Sequence, residues 1–350
     1  MRIMIGITSY NRGETLARMV SSLLASHLEI DGVEYAIRVF DDCSKEYSEH
    51  DIRALFPTGI DYYRHPSNHG ADYNIGYMYR SFLESDDDIL FNCDSDLIFD
   101  MDWLNVLLEY LPRTDGLLSL FNSSTHSVKE YLGELCIKDS VGSAGTIMTR
   151  EIVKIICDSI DEKESYNSLD YNWCNLLKKR GKKIYCTSRS YVQHIGFEGY
   201  NSANGRMDIG EGFKVNNTIN GQILGDVLHD IAVQSGDNKP ERRLFYFMFP
   251  FDRIPSGKNV VIYGAGVVGK DYVKQLEMCD YCSNLWIVDK NYKDKFGVSS
   301  PEILKDIECD YIVVAAHFSS VRDDMKADIL KINPELEGKL VCDVCYSIRY

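Results

Sequence analysis

Asp88-Ile-Leu-Phe-Asn-Cys-Asp-Ser-Asp96 is the stretch on which the fold turns. The apolar run Ile89 to Phe91 reads as a short buried strand, and Asp94 and Asp96 follow at a spacing that extended backbone would place on one face. Paired carboxylate oxygens at the C-terminal edge of a parallel sheet suit a hard divalent cation such as Mg2+ or Mn2+, often shared with substrate phosphates. An isolated Asp-x-Asp is more commonly a solvated acidic turn, so the flanking sequence has to choose.

On the N-terminal side, residues 3 to 7 form a strand ending in Thr8-Ser-Tyr-Asn-Arg12, and Leu16, Met19, Val20, Leu23 and Leu24 give Glu14 to Ser26 a helical stripe. Tyr35 to Phe40 is a second strand, closed by Asp41, Asp42 and Ser44. A short strand at 60–63 leads to Asn68-His-Gly-Ala-Asp-Tyr-Asn74, where Gly70 predicts a tight turn before a helix from about Ile75 to Leu83. Three β-α units therefore precede the Asp94 strand. Ligands in such sheets sit beyond the carboxyl ends of the strands, where the loops at Thr8, Asp41 and Asp94 open together. Asp86-Asp-Asp88 reads as a solvated turn, and Met101, Trp103, Leu104, Leu107 and Leu108 as a core-facing helical stripe.

The chain has 350 residues, enough for about two domains, and 45% of them are apolar. A formal net charge of −15 disfavours nucleic acid and anionic membranes as main partners, because phosphate binding needs a basic footprint. No apolar run reaches the roughly 18 residues of a membrane span, and the start is too short for the apolar region of a signal peptide, so a cytoplasmic location is expected. Eleven cysteines without a secretory signal are expected to be reduced. Cys279-Asp-Tyr-Cys282 and Cys342-Asp-Val-Cys345 have the C-x-x-C form of zinc sites, but the first ends a helix and the second lies in a strand, where residues three apart face opposite ways. Core thiols are the better expectation.

Beyond Asn201 the pattern loosens, through a polar break at Ser235 to Pro240 and the aromatic run Leu244 to Phe251, which is expected to pack between domains or to offer a patch for peripheral membrane contact. A new β-α-β unit then begins. Asn259 to Tyr263 is a strand, Gly264-Ala-Gly-Val-Val-Gly269 matches G-x-G-x-x-G, and a second strand ends at Asp289, about 20 residues on. Gly264, Gly266, Gly269 and Asp289 thus form a possible second nucleotide site. About 95 residues is only one mononucleotide-binding half and a little more, so NAD(P) is not the favoured ligand and a vestigial or regulatory role is expected.

The order Thr8-Ser-Tyr-Asn-Arg, Asp41-Asp-Cys-Ser, Asn68-His-Gly, Asp94-Ser-Asp resembles the nucleotide-sugar half of family 2 glycosyltransferases, enzymes of the GT-A fold. Val141 to Thr149 is similar to that family's small-residue strand beside the acceptor, Ser168 to Gly181 to its segment where an Asp begins a helix, and Ser190-Tyr-Val-Gln-His-Ile-Gly196 to the strand whose His completes a metal site. The resemblance spans about residues 1 to 210. It departs at Tyr73, where many members have Arg or Lys, and in a shortened Gly70 to Asn74 stretch.

The resemblance implies a GT-A domain at 1–215 of an α/β chain; a linker or helical connection is expected at 216–254, and the G-x-G-x-x-G unit predicts a smaller Rossmann-like domain at 255–350. The resemblance also implies a metal (Mn2+ or Mg2+) on Asp94, Asp96 and His194, and Asp170 as the base of an inverting transfer. Thr8, Tyr10, Arg12, Asp41, Asp42, Asn74 and Asp94 would meet the donor, first of all a UDP-sugar, and Gly145 and Trp173 the acceptor side. The acceptor would be a carbohydrate or lipid-linked sugar at the inner face of the membrane, in bacterial surface-polysaccharide assembly. Structural alternatives remain: Asp170 as a helix N-cap, His194 and Trp173 as core residues, Arg12 as a surface residue. Two other functions stay open, an NAD-dependent sugar oxidoreductase centred on Gly264 to Gly269 and a non-catalytic nucleotide-binding scaffold.

Overall fold

The computed structural model describes residues 1–159, 168–196, 208–236 and 247–342. Its chain gathers into two compact units, one made of Met1–Gly196 with Asp208–Ile219, the other running on from Asn220. The division falls inside the stretch expected as a linker.

In the first unit, β1 (Arg2–Ser9), α1 (Gly13–Leu24), β2 (Glu34–Asp41), α2 (Glu49–Ala54), β3 (Asp61–Arg64), α3 (Ala71–Glu84) and β4 (Ile89–Asp94) are the β-α units that the sequence predicts. Then come β5 (Leu97–Phe99), α4 (Trp103–Tyr110), β6 (Leu117–Ser119), β7 (Val128–Leu132), β8 (Leu135–Lys138), β9 (Thr146–Thr149), α5 (Arg150–Cys157), α6 (Leu169–Lys179), β10 (Ile184–Thr187) and β11 (Val192–His194). Nine strands form one sheet in the order β3-β2-β1-β4-β9-β6-β10-β8-β7, while β5 and β11 pair separately. The unit is a mixed α/β domain of GT-A type, parallel from β3 to β4 and antiparallel where β9 joins.

Alternation along β1 divides the core between the two sheet faces. Ile3, Ile5 and Ile7 pack with Leu16, Met19, Val20 and Leu23 of α1. Met4 packs on the other face with Met78 and Phe82 of α3 and Trp173 of α6. Gly6 lies on that second face and has to be glycine because α3 comes so close: a Cβ there would lie 2.4 Å from Met78 Sδ. Thr8 and Asp94 are register partners at the ends of β1 and β4, on the side of α3 and α6.

Three local expectations need correction. Helix α3 starts at Ala71, four residues before the expected Ile75, because Asp42 accepts the N–H groups of His69 at 2.8 Å and Gly70 at 2.7 Å and so fixes the turn into the helix. Gly70 supplies the positive φ of 93° that this turn needs. The Asp86–Asp88 turn is not wholly solvated: Asp87 is buried, ion-paired to Arg38 at 2.8 Å without hydrogen-bond alignment, and Asp88 accepts from Arg2 N at 2.8 Å. Asp96 does not continue the strand. β4 ends at Asp94, and a turn through Ser95 and Asp96 leads into β5.

Beyond α7 (Thr218–Gly236), the second unit holds β12 (Asn259–Tyr263), α8 (Val267–Cys279), β13 (Asn284–Val288), β14 (Val298–Ser299), β15 (Tyr311–Val314), α9 (Ser319–Ile332) and β16 (Leu340–Val341). Its five strands are parallel in the order β14-β13-β12-β15-β16. Val261 and Tyr263 pack with Ile329 of α9, while Ile262, on the opposite face, lies 3.5 Å from where a Cβ on Gly269 of α8 would be. The aromatic run is described only from Phe247; there Phe249 and Phe251 are buried edge-on to Tyr281. Leu244 to Tyr246, residues 237–240 of the polar break and Cys345 lie outside the described residues. Among the described residues no helix is long and apolar enough to cross a membrane.

Candidate metal and nucleotide-sugar site

Asp94, Asp96 and His194 meet at the C-terminal edge of the first sheet, their ligand atoms all within 4.8 Å of one another. Almost a hundred residues separate the acids from the histidine. The antiparallel ladder between β5 and β11 closes that gap: it pairs His194 with Leu97 and continues as Ile195 N donating to Asp96 O at 2.8 Å. His194 Nε2 lies 3.1 Å from Asp96 Oδ1. That buried oxygen accepts no aligned hydrogen bond, the state of an oxygen set for a ligand other than a protein N–H.

Gly196 completes the cradle. A Cβ there would sit 2.1 Å from Asp96 Oδ2 and 2.8 Å from His194 Cε1, so only glycine leaves the carboxylate its place. Arg12 Nη1 donates to Asp96 Oδ2 at 2.8 Å, and Thr8 Oγ1 to Asp94 Oδ1 at 3.3 Å. Asn11 and Arg12 take positive φ values of 51° and 56°, which turns the Arg12 side chain toward the acids rather than leaving it as a free surface residue.

Charge is uneven across the three groups. Burial, with the neighbouring Asp96 charge added, pushes Asp94 up to about 6. Burial works in the same direction on Asp96, but His194 and Arg12 outweigh it and hold the carboxyl well below the usual carboxylate range. Burial lowers His194, yet the Asp96 and Asp94 carboxylates carry it up to about 9. Two oxygen donors and an imidazole in one cradle fit a divalent cation.

Other expected donor contacts are spent inside the protein. Asp41 is fully buried, accepting from Ser44 N at 3.1 Å, the Ser44 hydroxyl and Tyr62 OH at 2.9 Å. Asp42 holds the turn before α3. Asn74, also buried, donates to Phe40 O at 2.7 Å and meets His65 Nε2 at 3.1 Å. All three are thus buried and hydrogen-bonded within the protein itself. Tyr10, 41% exposed, keeps its ring available.

The residues expected on the acceptor side are also largely buried. Trp173 is fully buried in the core between sheet and α6. Gly145 is buried with φ 70°, and a Cβ would lie 2.6 Å from Val192 Cγ2. Asp170 sits in the first turn of α6 without capping it: Ser168 holds the N-cap position, and Asp72 of α3 accepts from Leu169 N at 3.2 Å. Asp170 Oδ1 accepts from Tyr171 N at 2.7 Å. Its Oδ2 is 3.8 Å from where a Cβ on Gly142 would be. Burial, with the Asp170 charge added, lifts the Asp72 carboxyl against the pull of the Leu169 N–H. Gly196, His126 and Asp208 were not expected at the site; Gly196 directly follows the Val192-Gln-His-Ile195 stretch, but nothing local in the sequence marks the other two.

In the second unit the glycine turn is formed. Gly264 has φ 118°, Gly266 has open space at its Cβ position, and a Cβ on Gly269 would fall 1.8 Å from Gly264 O. Asp289, expected on a ribose, accepts instead from Ala265 N and Asn291 N, each at 2.7 Å, and pairs with Lys295 at 3.0 Å.

Residues 4–153 match the model of a family described as Glycosyl transferase family 2. No curated protein matches the chain. Solved structures similar to it include S. aureus TarS 1-349 in complex with UDP-GlcNAc, at 12% identity over 69% of this chain and 70% of that one, TM-score 0.46. A mannosyltransferase from Pyrobaculum calidifontis, PcManGT in complex with GDP-Man and Mn2+, matches at 11% identity over 67% and 64% of the two chains, TM-score 0.42. GalNAc-T7 with UDP, GalNAc and Mn2+ matches at 12% identity over 55% and 44%, TM-score 0.47.

Proposed function

With residues 4–153 matching the model of glycosyl transferase family 2, we propose that the chain moves a sugar from a nucleoside-diphosphate donor to an acceptor hydroxyl, with inversion and with a divalent cation. The observation that carries this reading is the convergence of Asp94, Asp96 and His194 on one cradle. Bound there, Mn2+ or Mg2+ would supply the positive charge that a departing diphosphate requires.

The chain's own groups do the rest. Asp96, held ionised by His194 and Arg12, is ready as a ligand. Arg12 lies close enough to meet diphosphate oxygens once Asp96 is engaged, and Tyr10 offers a face to the base. The acceptor oxygen forms its bond to the anomeric carbon opposite the diphosphate as the bond to the phosphate oxygen breaks. That electron pair leaves with the nucleoside diphosphate. The acceptor proton passes to Asp170 Oδ2, the oxygen that the Tyr171 N–H leaves free. Asp41, Asp42 and Asn74 act in this scheme as positioning residues. A carbohydrate or lipid-linked sugar as acceptor, and UDP as the donor's nucleotide, follow from family analogy. The oxidoreductase alternative has less support, since both Asp289 oxygens serve the loops of their own unit.

Thermal shift against UDP, GDP, CMP and dTDP sugars, with and without Mn2+, tests the reading through ligand-linked stabilisation. One donor should raise the melting temperature in a Mn2+-dependent way, and Asp96→Ala should abolish that rise while remaining folded. Donor binding that survives both EDTA and Asp96→Ala would remove the cation from the site.

A further inference from the structure

A turn between β6 and β7, unassigned by the reading above, stands beside Asp170 and is built more firmly than a surface loop requires. Lys138 is buried and spends its ammonium on Asn122 Oδ1 at 2.5 Å and Ser123 O at 2.6 Å, inside the turn itself. Asn122 in turn donates to Ser188 O at 2.8 Å. Ser123 Oγ donates to Asp208 Oδ2 at 2.5 Å, and Gln193 Nε2 holds Asp208 O at 2.8 Å. What the anchored turn presents is His126. Its Nδ1 meets Ser140 Oγ at 2.8 Å, two residues before the Gly142 that borders Asp170, and its Nε2 has no partner among the described residues.

We propose that His126 is an acceptor-binding residue, and that the acceptor it takes is an uncharged polyol, a sugar presenting adjacent hydroxyls, rather than a phosphate-bearing glycan. The proposal rests on the transferase reading with Asp170 as base. A partly buried imidazole fixed at Nδ1 offers one directional group at Nε2, which suits a hydroxyl that can either donate or accept. The charge around it points the same way. The carboxylates whose fields reach His126 are Asp208 and Asp170, while burial and Lys138 together lower its pKa and favour the neutral ring. The lysines of this wall are committed: Lys138 to the turn, Lys129 to Asp139 at 2.5 Å, and Lys178 to Asp139 O at 2.8 Å. A phosphate arriving beside Asp170 would meet like charge with no uncommitted lysine of this wall, among the described residues, to receive it.

Transfer from the donor found by thermal shift is to be measured, with the whole chain, onto p-nitrophenyl hexosides and onto the matching hexose 6-phosphates. A neutral hexoside should be the better acceptor. His126→Ala should raise its KM at least tenfold with donor Kd moved less than threefold, and His126→Asn, which keeps a polar group there, should recover part of the loss. Preference for the phosphates overturns the proposal. So does an acceptor KM within twofold of wild type in His126→Ala, or transfer to no neutral hexoside by a protein that hydrolyses the donor. If the wild type neither binds nor hydrolyses any nucleotide sugar, the transferase reading itself has failed, and this proposal with it.

Discussion

Asp170 can be separated from a helix cap because Ser168 and Asp72 already serve the start of α6. Asp170→Asn retains an oxygen to accept the Tyr171 N–H but cannot take a proton. Turnover should fall by a factor of about 10² to 10⁴, with melting temperature and donor affinity close to wild type. Retention of more than about a tenth of wild-type turnover, short of the smallest effect of a lost base, would assign the proton to another group. At this scale the sequence showed which residue types gather at the sheet edge, and Asp94, Asp96 and His194 do meet there. It could not show which polar residues are consumed by the backbone. Asp42 resembles a ligand contact in sequence, yet it answers two N–H groups of a turn. Trp173 resembles a sugar platform, yet it is core. Demand from the main chain and burial are properties of the folded neighbourhood, invisible in residue identity.

Periodic elements were the legible part. The stripe of α1 and the apolar runs of β1 and β4 fall where their spacing places them, because burial on one helical face or on both sheet faces writes directly into sequence. The β5/β11 ladder was not legible as a pairing: each strand has three residues, too few for a period, and their partnership is long-range. The start of β4 hides a second surprise in Asp87. Arg38 of β2 is almost as buried as the carboxylate it pairs with, so Asp87→Ala would leave a desolvated guanidinium to the exposed Asp61 carboxylate, 3.2 Å from its Nε. Breaking a buried pair from one side costs about 3 to 5 kcal/mol. Urea denaturation should show a loss of that size, whereas a loss under about 1 kcal/mol, the range of exposed pairs, would mean that Asp61 and water suffice for Arg38.

Across the whole molecule, all residues proposed for transfer fall in the first compact unit, and the glycine turn with Asp289 falls in the second. A chain ending near Asp252 should therefore bind the donor with an affinity within about threefold of the full chain, a change of under 1 kcal/mol. Calorimetry on the shortened protein decides it, and a folded product that no longer binds donor would show that the second unit helps to make the site. The sequence marked both units by their own β-α patterns and expected a linker or helical connection between them, and α7, which begins at Thr218, crosses the division at Ile219. The β5/β11 ladder also has a meaning in time. Synthesis delivers Asp94 and Asp96 long before His194, so a nascent chain that stops between them holds two acids in one turn with no imidazole to balance or complete them. The cradle is, in that sense, closed from behind by a latch that the ribosome supplies last.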